Sequence, residues 1–185
     1  VKWLRDEVKL INSVQETSNL AKSVNDTQGV YFVPAFTGLG TPYWDDQARG
    51  SIFGLSRGSK KEHIVRAALE AIAYQSKDVF EVMKKNANLD LVGLSIDGGA
   101  SSNDFLCQFQ ADILNCNIYL PAILESTALG GAYLAGLEVG FFTDLQSIKE
   151  SRLLKRIYRH TLKQNEINEL YSNWKKAVKA CQSFK

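Results

Sequence analysis

Residues 95–104 read SIDGGASSND, and the reading of this stretch decides the fold. Ahead of it lies Leu91–Ile96, an apolar and partly β-branched run; behind it, Phe105–Leu114 repeats apolar residues at helical spacing. Strand, glycine turn and helix make the βα unit of a layered α/β domain. The stretch itself leaves three readings open. Asp97 is a catalytic carboxylate, or the loop holds a ligand against its backbone, or the segment is only a tight turn. Gly98 and Gly99 let the chain turn sharply and put no Cβ in a ligand's way. A helix starting near Ser101 or Ser102 would offer unbonded N–H groups as a polar, partly positive rim. Ligands of open α/β sheets sit beyond the carboxyl ends of strands, where this loop falls. Yet Ser101 and Asp104 would serve equally as a capping pair, and Gly-Gly turns are common. On the residues alone, the plain turn comes first.

The alternation continues outward. Upstream, VYFVPAF (residues 30–36) reads as a buried strand until Pro34 and SIFGL (51–55) as a second, with the Gly-, Pro- and Asp-rich loop TGLGTPYWDDQARG between them. Ser59 and Glu62 form an S-x-x-E capping box. It predicts a long helix with Ile64, Ala67, Ala68, Ala71, Ile72, Gln75, Val79, Val82 and Met83 on one side. Downstream, Asn117–Leu120 is a short strand ended by Pro121, and a helix of small residues runs from near Ser126 to Val139. Thr143 and Gln146 repeat the capping pattern. Ile167, Leu170, Tyr171, Trp174, Ala177, Val178 and Cys181 then follow the 3.6-residue period of a final helix. At the start, Trp3, Leu4, Val8 and Ile11 predict an opening helix ending near Asn12, and Glu16–Val24 a second.

Composition narrows the class. One domain with a proper core fits 185 residues. A net charge of +2, with basic residues scattered among acidic ones, gives no reason to invoke nucleic acid. No apolar run approaches the ~20 residues of a membrane span. Three cysteines without C-x-x-C spacing read as reduced thiols of a cytoplasmic protein. The chain opens without Met and inside an amphipathic pattern, which leads us to expect a piece of a longer protein.

Other motifs yield less. GLG at 38–40 begins like a dinucleotide fingerprint, but Tyr43 takes the place of the third glycine. Tyr43 and Trp44 beside Asp45 and Asp46 could stack on a sugar; anchoring of the loop, with Asp45 and Arg49 paired across it, is the simpler expectation. The small residues of ALGGAYLAGLEVG predict close packing against a neighbouring backbone, since Glu125 and Glu138 frame too short a stretch for a membrane. His63 and His160 lack partners at metal or triad spacing and are expected to be exposed or capping. Lys60, Lys61, Lys84 and Lys85 read as solvated helix ends, and no P-loop occurs.

Resemblance carries the reading further. GVYFVPAFTGLGTPYWDDQARGSIFGLSRG resembles the C-terminal domain of the FGGY family of carbohydrate kinases. Gly50–Glu70 is similar to that family's second signature, with His63-Ile64 and Ala67-Ala68-Leu69-Glu70 closing it. SIDGGASSNDFLCQFQADIL, ESTALGGAYLAGLEVG and YSNWKKAVK match in order and spacing, so the resemblance spans nearly the whole chain. Within the family, PAFTGLGTPYW and WLRDE resemble the glycerol-phosphorylating members, with a xylulose-phosphorylating relative as the alternative. The implied fold is α/β, a ribonuclease-H-like, actin-like ATPase domain, residues 1–185 being its C-terminal part without the first strands. The implied cofactors are ATP and Mg2+, the substrate glycerol, and the assembly a homo-oligomer.

By the same resemblance Gly98 and Gly99 lie at the nucleotide, Asn103 contacts its adenine side, and Lys2 stands where some relatives carry a nucleotide-contacting Gln. Asp97 matches a turn residue and not the catalytic base. The catalytic Asp, the glycerol contacts and the metal carboxylates are expected upstream of Val1, so no catalytic or metal residue is assigned within the chain. Arg159, His160 and Lys163 would lie near a regulatory surface, which keeps a partner-docking module as the other alternative. Lacking its leading strands, the sheet is expected to show an unpaired edge and an uncovered apolar face.

Overall fold

A computed structural model describes residues 1–87 and 92–184. Among them the helices are α1 (Lys2–Asp6), α2 (Glu16–Lys22), α3 (Lys61–Ala87), α4 (Asp104–Leu114), α5 (Ser126–Glu138), α6 (Leu145–Ser151) and α7 (Gln164–Ser183). The strands are β1 (Tyr31–Val33), β2 (Ser51–Phe53), β3 (Gly93–Ser95), β4 (Asn117–Pro121) and β5 (Leu154–Tyr158). A 3-10 turn, Gly99–Ser102, precedes α4.

β1 and β2 form an antiparallel pair in which Phe32 faces Ile52. The second sheet has the order β3-β4-β5, with β3 parallel to β4 and β5 antiparallel to it. The β3–α4–β4 segment is therefore the expected βα unit, although its predicted first residue, Leu91, lies outside the described residues. Pro121 belongs to β4 rather than ending it, and the register shifts between Leu120 and Pro121. β5 has no counterpart in the sequence reading. Of its five residues only Tyr158 is buried, so no alternating apolar face announced it.

α3 is the spine. It holds 27 residues, about 40 Å at 1.5 Å each, and contains neither Gly nor Pro, while Ala67, Ala68, Ala71 and Ala73 let neighbours approach closely. Its outer end is less buried than predicted, with Val79 and Met83 exposed. The predicted Ser59/Glu62 box is displaced by one residue: His63 Nδ1 accepts from Lys60 N at 2.9 Å, and His63 is buried. α6 shows the same shift, Asp144 and Ser147 making the box in place of Thr143 and Gln146. α1 ends at Asp6, well before Asn12.

The main core joins α3, α4, β4 and α7, with Tyr74 stacked on Trp174 at 5.3 Å and meeting Phe109 edge-on at 5.4 Å. A smaller cluster holds Leu4, Ile11, Val30, Phe32 and Val65. Asp78 of α3 is buried against α7, accepting from Tyr171 Oη at 2.7 Å and Trp174 Nε1 at 2.8 Å.

α5 departs from expectation. Gly136 is its one buried residue among those described, packed by the ring of Phe142 from the segment just beyond. Gly130 and Gly131 meet nothing within 4 Å of a notional Cβ. Leu134 is 71% exposed, Val139 79% and Phe141 78%. Among the described residues, the small-residue face thus packs on no neighbouring backbone. Among the described residues β3 pairs with β4 alone, and its other edge is open. No helix among the described residues is long and apolar enough to cross a membrane.

Candidate functional site

The loop after β3 is pinned on its strand side by two backbone bonds, Ile96 N to Tyr119 O at 3.1 Å and Gly98 N to Leu124 O at 3.3 Å. At Gly98 the chain adopts φ 76°, ψ 179°, a region essentially closed to residues with a side chain. Ser101 Oγ then donates to Gly98 O at 2.6 Å, and Ser102 Oγ to Gly99 O at 2.7 Å, closing the 3-10 turn. Gly99 differs from its neighbour in backbone alone: its φ is unexceptional, while a Cβ on either glycine would meet nothing within 4 Å. The fold requires glycine at 98. At 99 glycine leaves an open surface.

The α-helix begins later than the sequence suggested, and its cap is Asn103, not Ser101 with Asp104. Asn103 Oδ1 accepts from Leu106 N at 3.0 Å, its carbonyl from Cys107 N at 3.0 Å, and Ser18 Oγ accepts from Phe105 N at 3.3 Å. The expected rim of unbonded N–H groups is therefore largely consumed within the protein. The Asn103 side chain is half-buried. Its Nδ2 donates to Thr17 Oγ1 at 3.0 Å. A primary amide has two donors and two lone pairs, so one N–H and one lone pair are left for a ligand.

Asp104 is committed elsewhere. It accepts from Tyr158 Oη at 2.6 Å and Arg156 Nη1 at 3.1 Å, with Lys22 Nζ at 3.9 Å. The Tyr158 hydroxyl first, and Arg156 with Lys22 after it, hold its carboxyl below the usual range. Asp97 is exposed and lines an open cleft of about 290 Å³ with Ile72, Ser95, Ala100, Ser101 and Gln110. Lys2 is exposed on α1, and no hydrogen bond or ion pair among the described residues joins it to this loop. Gly98, Gly99 and Asn103 are thus brought together, and Lys2 is not tied to them. Thr17, buried in α2, escaped the sequence reading because its partner lies 86 residues away.

In the β1–β2 loop, Tyr43 packs on the main core while Trp44 stands 77% exposed. Asp45 organises the turn, accepting from Gln47 N and Ala48 N, and accepts from Gln182 of α7 at 3.3 Å. Anchoring is thus shared between Tyr43 and Asp45, with Trp44 outside it. His160 is exposed, and Gln108 Nε2 donates to the adjacent Arg159 carbonyl at 2.8 Å. No three His, Cys, Asp or Glu side chains gather as a metal-ligand set among the described residues. None of the cysteines is in a disulfide, and all three are buried. Burial pushes the Cys107 thiol up to about 11.

Comparison with known proteins extends this picture. Residues 1–139 match the family described as FGGY family of carbohydrate kinases, C-terminal domain. The whole chain is 53% identical to a glycerol kinase of Staphylococcus epidermidis, of which it covers 37%. Over 96% of its length it is 56% identical to a glycerol kinase of Treponema denticola, covering 36% of that protein. The chain therefore spans little more than a third of the length of these relatives. Among solved structures, a Plasmodium falciparum glycerol kinase with ADP superposes on 97% of the chain with a TM-score of 0.92 at 36% identity, the match covering 36% of that structure. A ligand-bound xylulose kinase from Lactobacillus acidophilus gives a TM-score of 0.83 at 26% identity over 97% of the chain and 37% of its own.

Proposed function

The chain belongs to the FGGY family of carbohydrate kinases, with the ribonuclease-H-like fold of its C-terminal domain, and from that membership we propose that residues 1–185 are the C-terminal part of a glycerol kinase. The full-length protein transfers the γ-phosphoryl group of ATP to a terminal hydroxyl of glycerol. This chain supplies the adenine side of the ATP cleft. The observation that carries the reading is identity of 53–56% to two glycerol kinases across essentially the whole chain. The xylulose kinase matches at 26%, which ranks that substrate second.

In this reading Asn103 presents its remaining amide donor and acceptor to the base. Gly98 turns the backbone, and Gly99 leaves room for the nucleotide to lie against it. Lys2, at the exposed start of α1, is an accessory contact. In-line phosphoryl transfer further needs phosphate ligands, a counter-cation and a base for the hydroxyl proton. The described residues offer no three-ligand metal set. The catalytic Asp, the glycerol contacts and the metal carboxylates belong to polypeptide outside these residues, as the length of the relatives allows. We place the enzyme in the cytoplasm, in keeping with its unpaired thiols, and take it as a homo-oligomer from the family resemblance alone.

ADP release by the full-length protein, measured with glycerol, D-xylulose and D-gluconate in parallel, tests the assignment. Glycerol should give the highest kcat/KM by at least tenfold. A preference for either sugar substrate overturns it.

A further inference from the structure

We propose that Thr17, on α2, is a positioning residue that fixes the orientation of the Asn103 amide for recognition of the nucleotide base. The inference rests on the reading of Asn103 as a nucleotide contact and adds how that contact is set.

The geometry determines the orientation from both ends. Thr17 is fully buried, and its Oγ1 donates to Val14 O at 2.6 Å. A hydroxyl has one proton, so toward Asn103 Thr17 can only accept. That places the Asn103 NH2 group on Thr17 and leaves Oδ1 for Leu106 N, the helix cap. A flipped amide would set Oδ1 against a lone pair of Thr17 and NH2 against the Leu106 N–H, losing both bonds. The free half of the amide then faces its ligand with donor and acceptor in one fixed order. Adenine presents an adjacent acceptor and donor that suit an oriented amide, whereas guanine presents two acceptors on its N7 edge.

α2 is itself braced. Arg66 of α3 donates to Ala21 O at 3.4 Å and Val24 O at 2.6 Å and pairs with the buried Glu70 at 2.8 Å. The Glu16 carboxylate accepts from the Asn12 and Ser13 amides just before α2. Thr17 is therefore held by the body of the domain while touching the loop.

The test uses the full-length kinase. Thr17→Val keeps the shape but neither donates nor accepts, and should raise the ATP KM about five- to tenfold, the worth of one neutral hydrogen bond. The ATP:GTP preference should fall with it, while kcat and the glycerol KM stay within twofold. Thr17→Ser, which keeps the hydroxyl, should restore the ATP KM. Ser18→Ala also removes a bond from α2 to α4 but leaves the Asn103 amide in place, so it should lower the melting temperature without moving the ATP KM. If Thr17→Val fails to fold, Thr17→Cys, whose sulfur is a weak acceptor, is measured by the same criterion. Asn103→Asp separates the two claims. If it raises the ATP KM and the Thr17 variant does not, the positioning role is overturned. An unchanged ATP KM in Asn103→Asp overturns the nucleotide contact itself, and the role of Thr17 with it.

Discussion

Gly98 and Gly99 are adjacent and both exposed, yet their backbones assign them opposite roles, and exchanging each for alanine separates them. At Gly98 the φ of 76° and ψ of 179° place a Cβ in strained territory, costing on the order of 1–3 kcal/mol. At Gly99 a Cβ meets nothing within 4 Å, and φ lies outside the left-handed range. Alanine there stabilises by about 0.4–1 kcal/mol by narrowing the unfolded ensemble. Gly98→Ala should therefore unfold more easily than wild type, and Gly99→Ala equally or less easily. Nucleotide affinity should separate Gly99→Ala from its unaltered fold. A methyl group in a close ligand contact costs about 1–3 kcal/mol, which is roughly a five- to 140-fold rise in the ATP KM. Chemical denaturation and steady-state kinetics on the same full-length preparations check both halves. A Gly99→Ala protein with wild-type stability and wild-type ATP KM refutes the claim that this surface is kept open for a ligand. A Gly99→Ala protein less stable than Gly98→Ala refutes the backbone argument.

Asp78→Ala strands the buried donor of Trp174 and the half-buried donor of Tyr171. It should destabilise by about 2–5 kcal/mol, and a loss under 1 kcal/mol in urea unfolding contradicts the role of Asp78 as a hub. Burial, offset in part by Arg66, pushes Glu70 up from 4.5 to about 6. The folded state then keeps this proton to higher pH than the unfolded chain does. The associated stability is full below about pH 4.5 and lost as pH rises through about 6, roughly 2 kcal/mol in all. Glu70→Gln should flatten the unfolding free energy across that window, and an unchanged slope contradicts the assignment. The 185-residue chain produced alone should self-associate through the exposed α5 face, around Leu134, Val139 and Phe141, and the open β3 edge. Light scattering checks this, and a strictly monomeric species contradicts it.

The βα unit around Gly98 was legible because its signals are local: an apolar run, two glycines and a helical period between Leu91 and Leu114. α7 was legible for the same reason. β5 was not, since its pairing with β4 places Tyr158 opposite Ile118 across 40 residues of sequence and its remaining residues bury no face. Both displaced capping boxes fail alike. Polar residues three apart occur in adjacent frames, and the path of the chain into the helix selects Lys60/His63 and Asp144/Ser147. The α5 pattern of small residues implies a close neighbour, yet a helix cannot encode whether that neighbour lies within 185 residues. At the site, the chemistry of SIDGGASSND put a plain turn ahead of a ligand loop, and Asn103 emerged by resemblance alone. Its link to Thr17 is a property of the folded chain, invisible to local pattern.

The most direct measurement is a crystal structure of the full-length protein with ADP. The adenine edge should lie within about 3 Å of the Asn103 amide, hydrogen-bond distance, with the nucleotide running over Gly98 and Gly99. Well-ordered ADP whose adenine touches neither Asn103 nor the Gly98–Gly99 backbone contradicts the account.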